Sequence, residues 1–99
     1  MTYVPHKEKE IENEIKTYIT AHGGLCYKIH GGDPYQETGI PDLLVCWKGL
    51  FFGIEVKDPK GKPSPIQLAQ GARIKKAGGH FLIAKSLQDV KDYIRMVRL

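Results

Sequence analysis

Two apolar runs stand with only Lys48-Gly49 between them: residues 42–47, DLLVCW, and residues 50–57, LFFGIEVK. A chain reverses in two residues most readily as a β-hairpin with glycine in the turn. The two runs are therefore expected to be antiparallel strands. With the turn at Lys48-Gly49, positions whose numbers add to 97 face one another, so Asp42 lies opposite Glu55. Directly opposed side chains have Cβ atoms about 5 Å apart, close enough for two carboxylates to hold one cation. Strand side chains alternate, so Glu55 and Lys57 share one face while Ile54 and Val56 share the other. A carboxylate and an ammonium at the end of a core strand are costly to desolvate unless they are used.

The flanking segments read as further elements. In residues 7–21, Ile11, Ile15, Tyr18 and Ile19 recur at helical spacing, and Gly23-Gly24 supplies a stop. Residues 25–30, LCYKIH, read as a strand, followed by the Gly/Pro/Asp-rich loop GGDPYQETG. Ser64 is an N-cap candidate, with Pro65 at the first helical position and Gln67 at the third. That helix runs to about Ala77 and stops at Gly78-Gly79; HFLIAK, residues 80–85, is a fourth strand. Ser86 caps a last helix with Leu87, Val90, Tyr93, Ile94 and Val97 as its apolar positions. The order α-β-β-β-α-β-α predicts an α/β fold with a mixed four-stranded sheet flanked by helices, in a single domain spanning 1–99.

Charge points weakly toward a polyanion. The net charge is +4, but residues 1–49 hold five Lys/Arg against seven Asp/Glu, and residues 50–99 hold ten against four. The basic half suits phosphate contacts, with Lys60, Lys62, Arg73, Lys75 and Lys76 as candidates, and equally suits a solvated surface. Cys26 and Cys46 make no zinc pattern; both lie in apolar stretches and are expected in the core, reduced. His6, His22, His30 and His80 show no ligand spacing. Gly31-Gly32 precedes no helix and is not a P-loop cradle. No segment approaches the roughly 18 apolar residues of a membrane span, and MTYVPHKEKE has no secretory h-region, so a cytoplasmic protein is expected.

Two acidic side chains plus water suit Mg²⁺ or Mn²⁺, which prefer hard oxygen ligands. Lys57 is then placed to orient water or to stabilise charge developing on a phosphate. An isolated Glu-x-Lys is more readily a structural ion pair; Gly-Ile-Pro-Asp, the hairpin, the apolar strand and Glu-Val-Lys together favour a site. The runs Gly39-Ile40-Pro41-Asp42 and Gly53-Ile54-Glu55-Val56-Lys57 together resemble the PD-(D/E)XK nuclease superfamily. Ser64-Pro65-Ile66-Gln67 and Ala77-Gly78-Gly79 add a resemblance to its VRR-NUC branch, in its stand-alone phage or bacterial form.

The resemblance implies a restriction-endonuclease-like core in which Asp42, Glu55 and the backbone carbonyl of Val56 bind the metal and Lys57 assists the attacking water. It further implies an acidic residue from the first helix. Glu12 is chosen, on the flank of the apolar stripe one turn before Lys16, with Glu8 as its rival. Gln67 reads either as a contact to the site or as the closing member of a capping box. Tyr35 and Gln36 sit in the loop beside the site; they read first as part of a mobile loop and second as DNA contacts. The function expected is a Mg²⁺- or Mn²⁺-dependent DNA endonuclease, selective for branched DNA such as four-way junctions. It is expected to act as a homodimer in the cytoplasm of a bacterium or phage-infected host. The alternative is a non-catalytic nucleic-acid-binding module on the same fold.

Overall fold

The computed structural model describes residues 7–31 and 34–98; His6 and Gly32 lie outside them. Its central feature is the hairpin of β2 (Leu43–Trp47) and β3 (Leu50–Val56). Lys48 and Gly49 have φ of 52° and 79°, so both take the left-handed region that a two-residue type I′ turn requires. The ladder runs from Trp47↔Leu50 at the turn to Leu43↔Ile54, each pair adding to the expected 97. Strand β1 (Leu25–Lys28) pairs antiparallel with β2, and β4 (His80–Ala84) pairs parallel with β3. The sheet order is β1-β2-β3-β4, a mixed four-stranded sheet.

Period-two alternation divides the sheet into two faces. One carries Cys26, Leu43, Val45, Trp47, Phe52, Ile54, Val56, Leu82 and Ala84, which form the main core with helices α1 (Lys7–Ala21) and α3 (Leu87–Met96). Ile11, Ile15 and Ile19 of α1 are buried there at i, i+4 and i+8, and Val90 enters from α3. Each such side chain contributes roughly 1.5–3 kcal/mol by leaving water. The opposite face is covered by α2 (Pro65–Lys76) over β3 and β4 only.

Helix α2 seats on that second face through a glycine. A methyl group on Gly71 would fall inside the Phe81 ring of β4. Over β1 and β2 the same face is bare: Leu25 and Tyr27 are 51 and 60 % exposed, and at its border Phe51 of β3 is 43 % exposed. Cys46 lies among them and is exposed, contrary to the expectation of two core cysteines; Cys26 is buried. The cause is alternation. Cys46 pairs with Leu25 and Phe51 on the half of the second face that α2 does not reach, whereas Cys26 points to α1.

The predicted elements match the observed ones to within two residues. Strand β1 stops at Lys28 rather than His30, although Ile29 N–H still donates to Asp42 O at 2.8 Å just beyond the ladder with β2. Glycine packing gives a direct check. Gly71→Ala should lower the melting temperature of the protein, although alanine is about 1 kcal/mol the better helix former, because overpacking costs about 1–3 kcal/mol. A variant melting above the wild type would show that α2 does not press on Phe81.

Candidate active site

One end of the sheet gathers the N-termini of α1 and α2, the start of β2 and the ends of β1 and β3. The hairpin carries Asp42 there, one residue before the ladder, beside Glu55 near the end of β3. Asp42 Oδ2 accepts a hydrogen bond from the backbone N–H of Val56 at 2.8 Å. That bond extends the ladder through a side chain and fixes the carboxylate against β3.

Glu55 is 1 % exposed. Its Oε1 accepts from Gln67 Nε2 at 3.1 Å and lies 4.0 Å from Lys57 Nζ. Its buried Oε2 has no hydrogen-bond partner. A buried carboxylate oxygen without a donor is expensive. Burial, the nearby Asp42 carboxylate and the charge of Glu8 push the Glu55 carboxyl up to about 8, against the opposing pull of Lys57. The fold therefore brings together more negative charge than its own donors neutralise, and an added proton or cation would settle it.

Gln67 both closes a capping box and reaches Glu55, with the two ends of one amide. Its Oε1 accepts from Ser64 N at 2.8 Å and its backbone N–H donates to Ser64 Oγ at 3.3 Å, completing the capping box. Its Nε2 reaches Glu55. The helix cap thus aims the amide at the site.

The two candidate carboxylates of α1 part company. Glu12 Oε2 takes Lys28 Nζ at 2.9 Å. Glu8, one turn earlier, is the α1 carboxylate whose charge bears on Glu55. Lys28 Nζ also lies 3.8 Å from Asp42 Oδ1. Sequence reasoning gave Lys28 no role, yet the signal was present: it alternates with Cys26 onto the α1 side of the sheet, a charge turned inward at a strand end. Among the described residues no three His, Cys, Asp or Glu side chains converge as a metal cluster, so Asp42, Glu55 and Glu12 do not form one. Asp42 and Glu55 together still fit a hard cation, since one of them presents a buried, unpartnered oxygen.

Beside the carboxylates lies an open groove of ≈ 390 Å³ bordered by Ile29, Gln36, Thr38, Ile40, Asp42 and Gln67. Helix α2 holds its outer wall. Gln70 Nε2 donates to Thr38 O at 2.9 Å, Arg73 Nη1 lies 3.5 Å from Glu37 Oε1, and Gly39 packs on Ile66. Arg73 is thereby paired, while Lys60, Lys62, Lys75 and Lys76 are exposed. His22 and His80 serve packing, through Tyr18 O and the Tyr93 hydroxyl.

A solved structure of a VRR-NUC domain superposes on this fold with a TM-score of 0.76 at 33% sequence identity, covering 90% of this chain and 95% of that one. The chain belongs to the VRR-NUC family. It is also 33% identical over 92 residues to a protein of Acyrthosiphon pisum secondary endosymbiont phage 1 named "Putative nuclease p44", covering 92% of this chain and 95% of the relative. No family profile matches the chain. As a VRR-NUC protein it is placed among nucleases, with the α-β-β-β-α-β-α order of that fold.

The raised Glu55 carboxyl predicts how stability responds to pH. Between the ordinary carboxylate range and about 8 the folded protein keeps a proton that the unfolded chain has released. In chelator, this contribution is complete below the ordinary range and is lost as pH rises through 8. Glu55→Gln, which needs no proton, should melt above wild type at pH 8.5 by several degrees and lose most of that advantage at pH 5. About 1 kcal/mol corresponds to roughly 4–8 °C in a domain of this size. An equal difference at both pH values would mean that Glu55 is ionised throughout.

Proposed function

We propose that this protein is a Mg²⁺- or Mn²⁺-dependent DNA endonuclease acting on branched DNA. The observation that carries the reading is the buried Glu55 carboxylate, with its unpartnered Oε2 beside Asp42 and with Lys57 as neighbour. In this reading Asp42, Glu55 and the backbone carbonyl of Val56 hold the cation. When bound, it supplies positive charge that polarises a phosphate and makes water a stronger acid.

The chain's own residues do the rest. The Val56 N–H keeps Asp42 in place, so the carboxylate need not be reoriented when substrate arrives. Gln67 orients the Glu55 carboxylate from the α2 side. The Lys57 ammonium, on Glu55's face of β3, positions the attacking water and offsets negative charge that builds on the phosphate. Glu8 rather than Glu12 is the first-helix carboxylate of the site, because Glu12 is engaged by Lys28. The exposed Lys60 and Lys62 follow Lys57 in the chain and are assigned to the flanking phosphates.

Branched DNA and a homodimer are the finer part of the proposal. A small catalytic domain with one site per chain needs two copies to nick two strands symmetrically. The bare sheet face of Leu25, Tyr27 and Phe51 is an apolar surface available for self-association. A relative named as a phage nuclease suits work in the cytoplasm of an infected bacterium.

Purified protein incubated with labelled four-way junction and linear duplex, with Mn²⁺ or with chelator, tests the reading. Metal-dependent cutting with preference for the junction is expected. Glu55→Ala and Lys57→Ala should each reduce it by about 100-fold or more while retaining a cooperative melt. Binding without cleavage by the wild type would favour a non-catalytic DNA-binding module. Within α1, Glu8→Gln should reduce cleavage more than Glu12→Gln; the reverse order would assign the helix carboxylate to Glu12.

A further inference from the structure

Lys28 is the feature of this site that the reaction outlined above leaves without a task. It ends β1, where pairing with Leu43 and the bond from Ile29 N–H to Asp42 O pin its backbone beside β2. Its side chain then runs to a point between two carboxylates from different elements, 2.9 Å from Glu12 Oε2 and 3.8 Å from Asp42 Oδ1. Glu12 is largely buried, and Lys28 is less than one-third exposed. This is more than a surface ion pair.

The place is one where a small cation would be favoured. Asp42 has committed Oδ2 to the Val56 N–H, which leaves Oδ1 directed to the Lys28 side. Glu55 lies next to Asp42 with a fully buried oxygen that nothing in the fold satisfies. Two carboxylates reaching one point from α1 and β2 present the hard oxygens that divalent ions take. An ammonium on an anchored stem meets the same electrostatic demand with a single charge, and it cannot diffuse away. A divalent ion and that ammonium cannot share the position without strong like-charge repulsion.

We propose that Lys28 is a positioning residue whose ammonium occupies the place between Glu12 and Asp42 that a further divalent cation would otherwise take. It holds Glu12 out of the metal site, steadies Asp42 Oδ1, and lowers by one the number of divalent ions the carboxylate cluster accepts. The inference rests on the metal-dependent reading above. It also accounts for the separate fates of Glu8 and Glu12 in one helix.

The test counts ions rather than cleavage. Mn²⁺ binding to the full chain is measured by calorimetry and by the loss of free-ion electron paramagnetic resonance signal. Wild type, Lys28→Gln, Lys28→Arg and the double variant Lys28→Gln/Glu12→Gln are compared, each with its melting curve. Lys28→Gln should bind one more Mn²⁺ per chain than wild type, Lys28→Arg should match wild type, and the double variant should lose the extra ion. Should Lys28→Gln fail to fold, Lys28→Met takes its place in the same comparison. An unchanged or smaller number of ions in the neutral variant, or an extra ion that survives Glu12→Gln, would overturn the proposal. A wild type that binds no Mn²⁺, with a Lys28→Gln variant that binds one through Glu12, would defeat the metal-dependent reading and, with it, the premise that Lys28 displaces a further ion. No binding by any variant overturns both.

Discussion

The two-residue turn at Lys48-Gly49 is the constraint on which the site depends. Both residues take positive φ, which matches the twist of the paired strands and leaves one register. A slip of one position would send Ile54 and Val56 to the α2 face and Glu55 and Lys57 into the main core. The correct register does the opposite. It buries Leu43, Val45, Phe52, Ile54 and Val56 under α1 and α3, and that burial opposes any slip. At the far end of the hairpin, the Asp42 bond to Val56 N–H closes the ladder. The Asp42–Glu55 pair is thus locked by the same energy that forms the core.

Electrostatics at that end are unbalanced by construction. Glu8, Glu12, Asp42 and Glu55 lie toward one sheet end without closing on a common point, against Lys28 and Lys57. The two lysines approach from opposite faces of the sheet, one beside Asp42 and one beside Glu55. Lys57 does not fully discharge Glu55: the Glu55 carboxyl stays high and its Oε2 stays unpartnered. A structural ion pair at a sheet end would have ended with its oxygens satisfied. Stability is spent here on holding charge in readiness, which is the pattern expected of sites that bind or react.

Helix α2 ties the remaining parts together. Its capping box orients Gln67 toward Glu55, Gln70 and Arg73 grip the 37–39 segment, and Gly71 lets the helix settle on Phe81. One helix therefore positions the Gln67 amide against Glu55 and the wall of the adjoining groove. Movement of α2 would disturb both at once, so the close glycine contact has consequences beyond packing.

Much of this was legible in the chain. Period-two and period-3.6 patterns, the Gly-bounded turns and the Ser64 cap gave the element order. The turn position alone placed Asp42 opposite Glu55, because register arithmetic in a hairpin is local. Pairwise placement between distant elements was not legible. Which of Glu8 and Glu12 meets the sheet end depends on how α1 crosses it, and four glutamates within about two turns offer no local distinction. Cys46 looked like a core residue because its strand is apolar on both faces. Only the reach of α2 decides that its half of the sheet stays open. Gln67 seemed to face a choice between capping and the site, until the packing of α2 against β3 let its amide do both. The sequence by itself determined the strands, their turn and the facing carboxylates, since those follow from steric and hydrophobic periodicity along the backbone. The tertiary structure decided the company they keep, Lys28 above all, because long-range charge pairing is set by where packed elements cross.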